Sequence, residues 1–255
     1  DCVVRKISIV IPVRNEAAII GPSLSALDTW RDKGHEVLVV DGMSTDATAD
    51  IATPLCDRVI PTDPCRAMQM NAGAATASGD LLVFLHADTR LPQNAEAELL
   101  CIEDDHQEYW GRFDVVLDAR PMIYRIIESL MNWRSRVSGV ATGDQAIFVT
   151  RSLFERCGGF PPIALMEDIA FSKKLRAISI PICLTAKVVT SARRWQRNGG
   201  GGGAAEENEA EARGAVLPLR LRLRRRALRV GPEGHKDIKT CFGAQDGPFI
   251  LLTSP

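Results

Sequence analysis

ISIVIPVRNEA, residues 7–17, decides how the rest of the chain is read. Ile7–Val13 is a short run of β-branched, apolar residues without alternation, which predicts a strand buried on both faces. A strand of that kind needs paired neighbours and helices above and below it. The run then turns abruptly polar at Arg14-Asn15-Glu16, so chemistry is expected where the strand ends.

Working outward, residues 17–33 carry Ile19, Ile20, Leu24, Leu27 and Trp30 at helical spacing, and Gly34 stands where a helix-ending glycine belongs. Residues 36–40 predict a second buried strand ending in Asp41-Gly42, 45–52 a short helix and 58–60 a weak strand. Residues 66–77 read as a helix stopped by Ser78-Gly79. DLLVFL at 80–85 is the clearest strand and runs into His86-Ala87-Asp88; a helix over 93–104 follows Leu91-Pro92. The second half predicts strands at 112–117, 145–150 and 180–184. It also predicts helices at 122–133 (Pro121 near its first turn), 153–156 (ended by Gly158-Gly159) and 168–176. Strands alternating with helices imply an α/β fold with a mostly parallel central sheet flanked by helices and right-handed crossovers. Ligands bind such sheets beyond the carboxyl ends of the strands. The three polar clusters all fall there, which points to one site.

The 255 residues are 45% hydrophobic and 25% charged, with a net charge of −1, which excludes a disordered chain and gives no bulk reason to expect nucleic acid. Seven cysteines without a CxxC pair fit a reducing, cytoplasmic setting. Cys101 and Cys183, in apolar runs, are expected in the core. No apolar run reaches membrane-spanning length. The chain opens DCVVRK, without Met and without the apolar region of a signal peptide, so a truncated start is expected. After Trp195 the composition changes. Gly199–Gly203 leads into an acidic run and then LPLRLRLRRRALR, so that residues 196–255 carry ten basic groups against seven acids. This stretch is expected to be a low-complexity tail, either disordered or the product of a misread frame, separate from a folded domain at 1–195. Its basic run makes a peripheral membrane contact one candidate role.

The first strand–helix turn, PVRNEA, has no GxGxxG, and no phosphate-cradling GxxxxGK[ST] appears anywhere. Any phosphates must be neutralised otherwise, and a divalent metal (Mn2+ or Mg2+) on Asp88 is the natural candidate.

Taken in order, IPVRNEA, VVDGMSTDAT and RAMQMNAGAATASGDLLVFLHADT resemble a family 2 glycosyltransferase with the GT-A fold. The likeness runs over about residues 7–195. The FLHADT and RRW segments resemble a bacterial subgroup associated with radical-SAM and selenodomain gene neighbourhoods. The resemblance implies that Pro12, Arg14, Asn15 and Glu16 bind the base and ribose of a nucleotide-sugar donor. It places Asp41 on a pyrimidine ring and Arg66 in the donor pocket, with Asn71 and Gly73 as packing neighbours. Asp88 matches the last acid of the DxD motif, which holds the metal on the diphosphate. Its first acid is replaced by His86, a weak metal ligand or a hydrogen-bond donor to the diphosphate. Glu167-Asp168 matches the family's ED pair, with Asp168 as general base, and Arg193, Arg194 and Trp195 resemble the segment covering the diphosphate. Ser191 stands where that segment usually has Gln.

The implied activity is inverting transfer of a sugar, most readily from UDP, to an acceptor hydroxyl, with Asp144 lining the acceptor side. Bland readings stand beside these. Asp41 also suits a turn, Asp88 a cap, Asp168 the first turn of a helix and Glu16 a helix start. Tyr124, Trp133 and Phe148 are expected in the core rather than as a sugar platform. Two rival functions stay open: a sugar nucleotidyltransferase, and a donor-binding scaffold with an impaired site.

Overall fold

The computed structural model describes residues 5–102, 108–119, 121–163 and 165–192. The chain divides into two units, Asp1–Gly200 and Gly201–Pro255, and every described residue lies in the first. Arg193, Arg194, Trp195 and the whole glycine, acid and arginine tail lie outside the described residues.

The strands are β1 (Ile7–Val13), β2 (Glu36–Asp41), β3 (Arg58–Pro61), β4 (Leu81–Phe84), β5 (Thr89–Arg90), β6 (Trp110–Leu117), β7 (Ile147–Thr150) and β8 (Ile182–Thr190). They form one sheet in the order β3-β2-β1-β4-β7-β6-β8-β5. β3, β2, β1 and β4 run parallel, β7 is antiparallel to both its neighbours, β8 returns parallel to β6, and β5 pairs antiparallel with β8. The α/β expectation holds, with the sheet mixed beyond β4.

The helices are α1 (Ala17–Ser25), α2 (Asp28–Asp32), α3 (Thr48–Ala52), α4 (Arg66–Thr76), α5 (Ala95–Leu100), α6 (Met122–Ser138), α7 (Arg151–Arg156) and α8 (Glu167–Arg176). They cover both faces. Ile7, Ile9, Ile11 and Val13 of β1 pack with Ile20 and Leu24 of α1, Trp30 of α2 and Leu99 of α5. Val10 points the other way, into a core with Met70 and Ala74 of α4, Leu153 of α7 and Phe171 of α8. β1 is therefore buried on both sides, as its mostly apolar run without alternation predicts.

Several boundaries differ from the sequence expectation. The single helix expected over 17–33 is two helices, because Leu27 donates to Leu24 three residues back and tightens the chain into a turn. Gly34 does end the second, at φ +87°. β8 runs on to Thr190 because residues 185–190 alternate between solvent and core, which hides the strand from a search for continuous apolar residues. Cys101 is exposed and Cys183 only half-buried, so neither is a core residue. Phe148 is in the core, but Trp133 is exposed and Tyr124 half-buried, for a reason that lies in α6.

β7 pairs only with Trp110 and Gly111 of β6. Farther along, polar side chains of α6 take over that strand's free hydrogen-bonding groups. Asn132 accepts from Val115 N–H (2.9 Å) and donates to Val115 C=O (3.0 Å), while Glu128 accepts from Leu117 N–H (2.8 Å). A bare strand edge is costly to bury and prone to mispair. Here a helix closes it by turning its polar face inward.

At the other end of the sheet, Glu36 is buried. It accepts from the Ser8 hydroxyl (2.6 Å) and Ser78 N–H (2.8 Å), and Ser8 in turn accepts from Gly79 N–H (2.8 Å). Burial opposes its charge, but the hydrogen bonds from Ser8 and Ser78, with Lys6 nearby, outweigh it and hold the carboxyl below its ordinary value near 4.5. A depressed carboxyl adds stability above its unfolded pKa, and that stability is lost as pH falls through the folded value. In thermal melts between neutrality and pH 3, Glu36→Gln should lower Tm at neutral pH and flatten its fall below about pH 4.5. An acid limb as steep as the wild type's would assign that limb to other carboxyls.

Candidate functional site

The loops at the carboxyl ends of β1 and β2 are tied into one surface. Asn15, held at φ +54°, accepts from Thr45 N–H (2.8 Å), and its own N–H donates to the Ser44 hydroxyl (2.9 Å). Asparagine tolerates that left-handed backbone better than most residues. Asp41 is buried, and its carboxylate accepts from the Ser44 N–H (3.0 Å) and hydroxyl. Asp41 is thus a turn residue as well as an acid at the strand end, and its oxygens are aimed by Ser44. The Glu16 side chain makes no cap bond to α1. Asp46 takes that place, accepting from Ala17 N–H (3.2 Å), and Thr48 accepts from Glu16 N–H (2.8 Å). The Thr48 hydroxyl, donating to Asp46, holds that carboxyl below its ordinary range. Arg14 stands exposed on this surface and Pro12 is half-buried in β1.

α4 fixes the underside. Gln69 is buried and donates from its one amide nitrogen to the carbonyls of both Val13 and Val40, each at 2.8 Å, clamping the ends of β1 and β2 together. One turn on, Gly73 touches the sheet: a Cβ there would overlap the Val10 side chain and come 2.9 Å from Val40 Cγ2. Asn71 bonds both backbone groups of Phe160, accepting at 2.9 Å and donating at 2.8 Å. Phe160 stacks on Phe171 of α8 at 4.0 Å, and both lie against Phe84 at the end of β4. That aromatic packing brings the start of α8 over the sheet end.

Two contacts result. Arg66 lies 3.6 Å from the buried Glu167. Asp168 accepts from Gly143 N–H (2.6 Å) and from Ile169 N–H (2.7 Å). Gly143 opens the 3-10 turn Gly143–Gln145, whose Asp144 lies 3.2 Å from His86 Nδ1. The His86 ring packs so closely on Gly143 that any side chain at 143 would collide with it. His86, Asp144, Gly143 and Asp168 therefore form one cluster, with Arg66 and Glu167 joined as a second pair.

Asp88 is not part of that cluster. It lines a separate cavity of about 410 Å³ with Asp118, Arg90, Thr190 and Ser191, closed on one side by α1. Its carbonyl accepts from Ser191 N–H (3.2 Å), the last strand-end contact before residue 193. Among the described residues no three His, Cys, Asp or Glu side chains gather to hold a metal ion. The two carboxylates that line this cavity, Asp88 and Asp118, are nonetheless hard oxygen donors of the kind Mg2+ or Mn2+ accepts when phosphate oxygens complete its shell. The donor set thus fits such an ion, bound together with a diphosphate.

Gln69, Asp46 and Asp118 were not legible as site groups in the sequence. Asp46 sits inside VVDGMSTDAT, where Asp and Thr two residues apart signal a local turn. Gln69 carried no signal, because its partners are backbone carbonyls on two other elements. Replacing it with Leu removes the hydrogen bonds to both carbonyls, so Gln69→Leu should lose about 1–3 kcal/mol. Urea unfolding should show this as a lower midpoint with an unchanged slope. A shift under about 0.5 kcal/mol would mean the clamp adds nothing to an ordinary surface position.

Residues 8–148 match the family model described as Glycosyl transferase family 2. A probable glycosyltransferase, YdaM, of Bacillus subtilis (strain 168) is 28% identical over 187 residues, 64% of this chain and 44% of that protein. The chain thus spans less than half the length of that relative. Among solved structures, S. aureus TarS 1-349 in complex with UDP-GlcNAc superposes with a TM-score of 0.61 at 18% identity, covering 82% of this chain and 65% of that one. The mannosyltransferase PcManGT from Pyrobaculum calidifontis, in complex with GDP-Man and Mn2+, gives a TM-score of 0.57 at 22% identity, covering 74% and 58%. At such identities the likeness is one of fold, and the fold is GT-A.

Proposed function

Because the chain belongs to glycosyl transferase family 2, we propose that it moves a sugar from a nucleoside-diphosphate donor to an acceptor hydroxyl with inversion at the anomeric carbon. Residues 1–195 form the catalytic domain in this reading and 196–255 an appended tail. The carrying observation is the joining of His86, Asp144, Gly143 and Asp168 beside the Arg66–Glu167 pair, all at the carboxyl ends of the sheet.

The donor base lies over Pro12, Arg14, Asn15 and Glu16. Asp41, aimed by Ser44, accepts from the ring N–H of uracil, which favours UDP; guanine carries a comparable N–H. Asp88, with Asp118 in the same cavity, would hold a divalent ion, which would supply charge neutralisation for the departing diphosphate. Arg193, Arg194 and Trp195 belong to this side by resemblance and follow directly on Ser191. Asp144 lines the acceptor side, and His86, 3.2 Å from it, is the hydrogen-bond donor toward the diphosphate. Asp168 is the base. The Gly143 and Ile169 N–H groups fix its carboxylate in place, and the helix start at Glu167 projects it from α8. As the acceptor oxygen bonds to the anomeric carbon, its proton passes to Asp168. The bond to the diphosphate breaks with its electron pair leaving on phosphate. The oxocarbenium character that develops is of the kind met in glycoside hydrolysis.

Asp168→Asn keeps an oxygen to accept from Gly143 N–H, so it should fold, bind UDP unchanged by calorimetry, and lose about 10²–10⁴-fold in kcat against a UDP-sugar and acceptor panel. Wild-type turnover would remove Asp168 as base. Asp88→Ala should abolish the dependence of UDP affinity on Mn2+ while leaving metal-free binding near the wild-type value. UDP binding without turnover in the wild type, under every donor tried, would instead support the scaffold reading.

A further inference from the structure

α6 is built inside out. Its buried side chains are Glu128 and Ser135, and Asn132 beside them bonds the edge of β6. Its opposite face is apolar and exposed: Met122 77%, Ile126 54%, Leu130 58%, Trp133 63% and Val137 66%. At 100° per residue these five side chains fall within an arc of about 80°, and Ile123 extends it to about 100°. The stripe runs the whole 17-residue helix, about 25 Å. Contiguous apolar surface of this kind marks a docking face rather than scattered exposure. It is also the reason Trp133 is not in the core.

The borders of the stripe decide what covers it. Arg125 and Arg136 flank one side and Arg134 the other, by helical position. The one acid of the helix, Glu128, is turned inward to Leu117 N–H and Arg125. Arg136 reaches Asp114, which is buried and shared with Arg112. Asp118, just before the helix, faces the Asp88 cavity. The stripe is therefore bordered by arginines on both sides, with Arg125 and Arg136 still partly exposed beside their acid partners and Arg134 half-buried. A second copy pairing stripe to stripe would bring arginine rims together. An anionic headgroup layer matches both rims, and Trp133 suits the boundary between headgroups and acyl chains. No described helix is long and apolar enough to cross a membrane, so α6 would lie in the interface rather than span it.

We propose that α6 docks this domain on an anionic lipid surface, with the stripe in the interface and Arg125, Arg134 and Arg136 among the headgroups. The proposal does not depend on the transferase reading, and its test needs no turnover. The full chain is co-sedimented with phosphatidylcholine vesicles alone and with vesicles containing about one-third phosphatidylglycerol. Binding is expected to the anionic vesicles, and Ile126→Glu with Leu130→Glu should weaken it at least about tenfold. Both positions are exposed, so the melting curve of that variant should match the wild type's. Arg224→Ala, Arg225→Ala and Arg226→Ala together should leave most of the binding in place. Brominated lipid should quench wild-type fluorescence more than that of Trp133→Phe, a readout independent of the charge variants. Absence of binding to anionic vesicles overturns the proposal. So does binding that survives the stripe variant, and so does a wild-type dimer that the stripe variant makes monomeric without change in vesicle binding.

Discussion

The contact on which the site depends is the seating of α4 against β1 and β2 at Gly73. With no side chain at that position, the helix lies directly on Val10 and Val40. At that distance Gln69 can reach two strand-end carbonyls, Asn71 can hold Phe160 and Arg66 can meet Glu167. A methyl group at 73 would lift the helix and loosen all three, because close-packed interiors relax only in part. The helix therefore works less as a layer of core than as a ruler that sets the spacing between the loops ending β1 and β2 and the start of α8.

A second organising feature is the division of labour on the far half of the sheet. Parallel strands β1 to β4 place polar loops at one edge of the molecule, as open α/β sheets do. The reversal at β7 then brings the turn at Gly143 back beside His86. The free stretch of β6 is closed by Glu128 and Asn132 rather than by another strand. Using polar residues to close a strand edge leaves the apolar residues of α6 nowhere to go but outward. One structural need, satisfying backbone groups, thereby creates a surface with a different character from the rest of the domain.

The carboxylates of the site are each held by different means. Asp41 is aimed by its own turn, Asp168 by a glycine N–H contributed from a distant loop, and Glu167 by an arginine on α4. Asp88 stands apart with Asp118 beside β8. This separation means that the sequence motif HAD splits in space: His86 turns to the Asp144 cluster and Asp88 to the cavity under α1.

Local pattern was enough for much of this protein. The mostly apolar runs of β1, β2 and β4 specified buried strands, because a strand covered on both faces shows no alternation between apolar and polar positions. Gly34 marked a helix end because its φ of +87° suits glycine. The polar residues following those strands pointed to a candidate site, because strand ends are where an open sheet meets solvent. What the sequence alone could not decide was every feature whose partners are far apart in the chain. The extent of β8 rests on pairing with β6 and β5, Gln69 finds its carbonyls 29 and 56 residues away, and Asp168 is placed by Gly143. The direction in which α6 faces belongs to the same class. Its amphipathic spacing predicts a helix with an apolar side, but periodicity is symmetric under rotation of the helix about its axis. Only the unpaired edge of β6, a fact of tertiary structure, turned the polar side in.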